Sequence, residues 1–262
     1  VAARVGDRVR GVETGDPVMA LLGGGGYAER VAVHGDLLLP VPENLSLVEA
    51  AGVPEVFYTA WDALFRQAGL EMGERVLIHA AGGGVGTAAL QLARAAGAER
   101  IFGTASAPKL EGIGELCLPL DVPVDYESRD FADAVREETG GEGVEVILDV
   151  VGGSYWDRNM ESLARQGRMV LVGLLGGRSA EVDLGQMLRN RITVVGTVLR
   201  ARSLAEKLSL TRAFRQRVLP LFRDGRLRPV IDRTFPLEEA ADAHRHMEAD
   251  RNLGKIVLEV SG

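Results

Sequence analysis

The run Val76-Leu77-Ile78-His79-Ala80-Ala81-Gly82-Gly83-Gly84-Val85-Gly86-Thr87-Ala88-Ala89 leaves few folds open to this chain. It reads as a short apolar strand, a turn of very small side chains, and the start of an alanine-rich helix. Small residues let the backbone turn sharply and let a ligand approach it closely. A helix opening at the turn aims unpaired N–H groups and a partial positive charge into it, an arrangement suited to a diphosphate. The spacing is Ala81-x-Gly83-x-x-Gly86, with alanine in the first glycine position. A glycine triplet alone is only a loop; the strand–loop–helix setting makes it a candidate dinucleotide turn.

The chain around this turn keeps the same rhythm. Apolar strands at Arg75–His79, Arg100–Gly103, Val144–Asp149 and Arg168–Gly173 alternate with helices at 85–97, 129–138 and 155–165, and Ile192–Val198 adds a further strand. That succession implies an α/β fold, a doubly wound parallel sheet covered by helices on both faces. A long helix at about 203–224, an extended stretch Pro229–Phe235, a helix Glu238–Ala249 and a strand Lys255–Val260 are expected after it.

Residues 1–54 read differently, as short strands and turns. Arg8–Val12 and Val18–Leu22 are apolar stretches, and Tyr27–Val33 alternates as a half-buried strand does, until Pro40 and Pro42 end the β-rich part. Leu45–Gly69 is helix-like, with Ser46 as its N-cap. The chain opens on Val1-Ala2-Ala3 rather than Met, which reads as the middle of a fold.

The end of the second strand should carry the residue that reads an adenosine ribose. An NAD site places Asp or Glu there, about 20 residues beyond the turn. Here Arg100–Gly103 leads into Thr104-Ala105-Ser106 with Lys109 following, so hydroxyls and a cation stand where a carboxylate would. A 2′-phosphate suits that set better than a ribose diol does, which favours NADPH over NADH; nearby Glu111 weakens the contrast.

Composition narrows the function classes. A formal charge of −7, with Lys and Arg scattered among more numerous acids, argues against a polyanion-binding surface, so no nucleic-acid partner is expected. One cysteine, Cys117, excludes an intramolecular disulfide and a zinc site built of several thiolates. His244 and His246 are two apart and fall on different helix faces, so no metal is expected. His79 reads as a packed, hydrogen-bonded histidine rather than a catalyst. There is no Gly-x-Ser-x-Gly elbow, no apolar run long enough to span a bilayer and no basic-then-apolar leader. A cytoplasmic protein without membrane partners is expected.

These residues resemble the zinc-independent medium-chain dehydrogenase/reductases of the quinone oxidoreductase group, especially the p53-inducible quinone oxidoreductase branch. The likeness rests on Val53-Pro54-Glu55 with Thr59-Ala60, on Leu77 to Ala89, and on Ile147-Leu148-Asp149 with Gly152-Gly153-Ser154-Tyr155-Trp156. It continues in Gly173-Leu174-Leu175-Gly176-Gly177, Leu199-Arg200-Ala201-Arg202 and Ala243-His244, and ends with Asn252-Leu253-Gly254-Lys255-Ile256-Val257-Leu258.

The resemblance implies a Rossmann domain at 55–200 holding NADPH. Residues 1–54 and 201–262 would form a partial GroES-like catalytic domain. Thr59 would lie near the nicotinamide, and Gly83, Gly84 and Val85 would cradle the pyrophosphate. Thr104, Ser106 and Lys109 would stand at the ribose end, with Tyr126 along the adenosine. Gly152, Gly173, Leu174 and Leu175 would line the cofactor, and Leu199, Arg200 and Asn252 would border the nicotinamide and cleft. The stretch Ser106–Leu110 is about one residue shorter than the family pattern, and the early Asn and Tyr that reach the family's substrate pocket have no counterpart here. No catalytic residue is therefore assigned.

The implied chemistry is hydride delivery from NADPH to a quinone or related conjugated carbonyl. Two alternatives stay open: an enoyl or haloacrylate reductase on the same scaffold, and a non-catalytic NADPH-binding protein of sensor or crystallin-like type. The Ile192–Val198 strand is apolar yet last in its sheet, and in the family it pairs with its symmetry mate, so a homodimer is expected.

Overall fold

A computed structural model describes residues 1–260, and the chain divides into two compact units. One comprises residues 1–58 with 199–262, the other residues 59–198.

The first unit begins with a small antiparallel pair, β1 (Val18–Ala20) and β2 (Leu38–Pro40), in which Met19 faces Leu39. Tyr27–Val33, expected as a half-buried strand, forms no strand, and all but Val33 of its residues are exposed. Alternating side chains specify a strand only when a neighbouring strand takes up its backbone groups, and β1 and β2 pair with each other instead. Arg8–Val12 likewise carries no regular structure.

Helix α1 (Leu47–Ala51) starts at Ser46 with a reciprocal capping box: Ser46 Oγ accepts from the Glu49 amide, and the Glu49 carboxylate accepts from the Ser46 amide. The helix-like stretch 45–69 is not continuous. Glu55 takes a positive φ of 76° before α2 (Val56–Trp61), and a π-helical turn follows over Asp62–Gln67.

The second unit is a parallel six-stranded sheet. Its elements in chain order are β3 (Arg75–Ile78), α3 (Gly84–Ala95), β4 (Arg100–Ala105), α4 (Ala107–Glu115), β5 (Val122–Asp125) and α5 (Phe131–Glu138). Then come β6 (Val144–Asp149), α6 (Trp156–Ser162), β7 (Leu163–Leu171), α7 (Leu184–Asn190) and β8 (Thr193–Gly196). The spatial order is β5-β4-β3-β6-β7-β8, which reverses direction between β3 and β6. Such a reversal opens a crevice at the carboxyl ends of the two central strands, where doubly wound sheets bind ligands.

The central strands are buried almost throughout, as strands covered on both faces must be. Leu77, Phe102, Val124, Phe131, Ile147 and Met169 make one contiguous core. The strand at β5 is absent from the sequence-based strands. Its pairing with Phe102–Ala105 also carries β4 two residues beyond the expected end at Gly103, so Thr104 lies inside the sheet rather than at its tip.

The remainder of the first unit runs α8 (Leu204–Arg217), α9 (Leu219–Arg223), β9 (Ile231–Pro236), α10 (Ala240–Glu248) and β10 (Lys255–Glu259), the last paired in parallel with β9. The expected single helix at 203–224 breaks at Val218. Pro220 follows in the first turn of α9, and a proline lacks the N–H that would continue a helix. Tyr58 stacks on Phe214 with centroids 4.2 Å apart, and Phe57 meets Phe222 edge-on at 4.8 Å.

Candidate functional site

The glycine turn occupies the carboxyl end of β3. Ala80, with a φ of 49°, turns the chain. The Ala81 amide donates to Thr104 O at 2.9 Å, and the Gly83 amide returns to Ala80 O at 2.8 Å. Gly83, extended, is the N-cap of α3, and it offers no side chain to take up the helix's first amides. Those amides point into the turn with the positive end of the helix dipole behind them. At Gly86 a Cβ would stand 2.2 Å from Ala80 O and 2.6 Å from Ala81 Cα, so only glycine lets the helix seat on the loop this closely. Gly83, Gly84 and Val85 are half-buried.

Beside this turn, Ser106 begins α4, again without a side-chain cap. Lys109 lies one turn in, and its stem runs along Gly82, where a Cβ would sit 2.9 Å from Lys109 Cβ. The structure therefore brings Lys109 to the glycine turn, a contact that the sequence pattern does not announce. Tyr126 follows β5; its amide approaches Ala105 O at 3.4 Å and the residue is 39% exposed. Thr104 is placed otherwise. It is 1% exposed, and Oγ1 lies 3.0 Å from His79 Nδ1, so its hydroxyl engages the histidine.

On the far side of the crevice, Gly152 (φ 80°) follows β6, and a Cβ there would meet Gly177 O and Leu174 Cδ2 at 2.8 Å. The Leu175 amide donates to Val150 O at 3.1 Å, which ties the Gly173–Leu175 loop to the β6 loop. Leu174 and Leu175 are exposed, at 49% and 82%. Thr59 is half-buried on α2. Leu199, Arg200 and Asn252 belong to the other unit. Leu199 is buried, Arg200 O accepts from Lys207 Nζ at 3.0 Å, and Asn252 Nδ2 donates to Gly254 O at 3.0 Å.

One buried polar chain underlies these loops. His79 is fully buried, with Nε2 2.7 Å from Asn159 Oδ1. Asn159 Nδ2 donates to Asp149 Oδ2 at 3.0 Å, and the Asp149 carboxylate also accepts from the amides of Val151 and Gly152 at 2.6 and 3.1 Å. Burial lowers the His79 pKa to about 4, and burial raises that of Asp149 against the pull of its amide donors. Phe131 and Tyr155 flank the His79 ring, and the Arg158 guanidinium lies over both of them. Sequence reasoning found the packed histidine but not Asn159, because a polar residue in an amphipathic helix gives no sign of facing inward.

The pieces suit a dinucleotide: two helix starts without side-chain caps, a turn that only glycine fits, a lysine laid across it, and a sheet reversal between β3 and β6. Comparison with known proteins places this fold. A family described as zinc-binding dehydrogenase matches residues 118–258. The human synaptic vesicle membrane protein VAT-1 homolog is 32% identical over 272 residues, an alignment covering 98% of this chain and 68% of the relative. The chain belongs to the medium-chain dehydrogenase/reductase family.

Among solved structures of this reductase family, a Pseudomonas syringae quinone oxidoreductase superposes with a TM-score of 0.84 at 29% identity, covering 98% of this chain and 78% of the other. CurK enoyl reductase gives 0.84 at 30% identity, covering 99% and 76%. The chain thus spans about two thirds to three quarters of these relatives. The family is one of oxidoreductases that bind a nicotinamide cofactor, NAD or NADP. Among the described residues, no group of three or more His, Cys, Asp or Glu side chains is placed to hold a metal ion. No described helix is long and apolar enough to cross a membrane.

Proposed function

We propose that this protein is an NADPH-dependent reductase of quinones or related conjugated carbonyls. The observation that carries the reading is the meeting of Lys109 with the glycine turn at Gly82, beside the uncapped starts of α3 and α4. The amides of Gly84 and Val85 would hold the pyrophosphate. Ser106 and Lys109 would hold the 2′-phosphate, and Tyr126 would lie along the adenosine. Thr59, Gly152, Gly173, Leu174 and Leu175 are proposed along the rest of the cofactor. When bound, NADPH supplies a hydride from its nicotinamide C4. The chain's part is orientation and exclusion of water, which is sufficient for an electron-poor quinone whose proton can come from solvent.

A second reading, reduction of enoyl substrates, is favoured by the equally good superposition on CurK enoyl reductase. It requires a positioned acid at the substrate α-carbon. NADPH oxidation followed with ortho- and para-quinones and with enoyl thioesters separates the two. Saturable binding of neither NADPH nor NADH would overturn both.

A homodimer formed through β8 is part of the proposal. This strand ends the sheet, and Leu184 and Leu188 of α7 stand 72% and 79% exposed nearby in the chain. Sedimentation showing only monomer at micromolar concentration would remove it.

A further inference from the structure

The hydrogen-bond chain beneath the crevice has a direction that its geometry fixes. Asp149 accepts from the Val151 and Gly152 amides, and its remaining partner must also donate. Asn159 therefore turns Nδ2 to Asp149 and Oδ1 to His79, an orientation that a carboxylate neighbour dictates. Asn159 Oδ1 can only accept, so His79 must carry its proton on Nε2, and Nδ1 is left to accept from the Thr104 hydroxyl at 3.0 Å. Donation runs from Thr104 to His79 to Asn159 and ends at the Asp149 carboxylate, which also accepts from the backbone amides of Val151 and Gly152. It links the carboxyl ends of β3, β4 and β6 with α6, and these strand ends bear the turns of the proposed cofactor site.

We infer that Asn159 and His79 are positioning residues for that site: Asn159 holds His79 in its Nε2-protonated tautomer and Asp149 against the Gly152 turn, so that the three loops keep one relative placement. This rests on the cofactor reading above. Thr104, a candidate phosphate-end residue by sequence, acts here through His79. Gly152 adopts a conformation foreign to side-chain-bearing residues, and the Asp149 carboxylate holds its amide in place.

The test is Asn159→Asp. With a proton shared between positions 159 and 149, the aspartic acid can donate to Asp149 and accept from His79 as asparagine does. Once both carboxyls ionise they repel each other, and His79 is drawn toward the imidazolium. The titratable and charged groups near His79 are Tyr155 before α6 and Arg158 on it, with Asp149 of β6 behind Asn159 and Asp130, at the start of α5, 3.7 Å from Arg158.

Compared as a ratio to wild type, which cancels titration of the ligand's own phosphate, NADPH affinity of the variant should match within about threefold at pH 5.5. It should fall about tenfold at pH 8. A ratio that does not change with pH overturns the inference. Where the variant fails to fold, nitrogen-15 imidazole shifts of the ligand-free wild type decide: the Nε2–H tautomer at pH 7 supports it, and Nδ1–H or imidazolium overturns it. Absence of NADPH binding by wild type would instead sink the cofactor reading, an outcome the ligand-free spectrum cannot mimic.

Discussion

Gly86 is pressed against Ala80: a Cβ on the glycine would lie 2.2 Å from the alanine carbonyl oxygen, inside any tolerable contact. The opposing atoms are backbone, and Ala80 already has a φ of 49°, so the loop cannot yield without leaving its place under α3. Gly86→Ala should therefore lower unfolding stability by about 2 kcal/mol or more and weaken nicotinamide-cofactor binding at least tenfold. Gly114→Ala, in a helix where a Cβ meets nothing within 4 Å, is the control. It should gain about 0.5–1 kcal/mol. Urea unfolding of both, with equal losses or none, would show the loop to be softer than this contact implies.

Under the proposed NADPH reading, the side chain across the same turn would govern which cofactor is chosen. Lys109 is half-buried and lies along Gly82 at the start of α4. Replacing it by alanine would remove the proposed charge-assisted bond to a 2′-phosphate, worth about 1.5–3 kcal/mol, or roughly ten- to a hundredfold in affinity. NADPH binding should fall by that factor in Lys109→Ala while NADH binding changes little, and Ser106→Ala should do the same to a smaller degree. Equal losses for both cofactors in calorimetric titrations would assign Lys109 to the pyrophosphate or to folding instead.

Much of this arrangement was legible in the residues, and the exceptions share a cause. The βαβ rhythm, the turn at Gly83–Gly86 and the stretch after β4 are local signals, set by side-chain size and by periodicity along one segment. Tyr27–Val33 has the local pattern of a strand and forms none, since a strand needs a partner. From the sequence Thr104 has the place of a tip residue, because the end of β4 is set by pairing with β5, some twenty positions away. Asn159 reaches His79 across eighty positions, and nothing near either residue announces the other. Pro220 illustrates the reverse: a plain local breaker lies within 203–224, and the helix breaks beside it, at Val218.

In the other unit, the capping box at α1 gives a prediction on the acid side. The Ser46 amide, then its hydroxyl, and to a lesser extent Arg228, hold the Glu49 carboxyl below its usual range. A depressed folded pKa stabilises the native state above the unfolded value, near 4.3–4.5, and that contribution is lost as pH falls through the folded value. Ser46→Ala should therefore cost about 1 kcal/mol at pH 7 and less at pH 3. Thermal unfolding across that range checks it; a cost that does not shrink on acidification would mean that Glu49 takes no part.

His79 titrates with the opposite sense, for a different reason. Burial, opposed by the bond to Asn159 and aided by Arg158, depresses its pKa to about 4, against about 6.5 in the unfolded chain. Between those values the unfolded chain binds the extra proton, so stability declines as pH falls from about 6.5 to about 4 and then stops declining on this account. Over the whole window the loss is about 3 kcal/mol. Asp149, raised by its own burial, works the other way near its own pKa, so acid titration of wild type alone mixes the two. His79→Gln separates them: glutamine can donate to Asn159 and accept from Thr104, keeps Asp149 in place and does not titrate. Its urea midpoint should fall less than that of wild type between pH 6.5 and 4.5. If both midpoints fall in parallel, the acid sensitivity lies elsewhere and His79 is not held neutral by its surroundings.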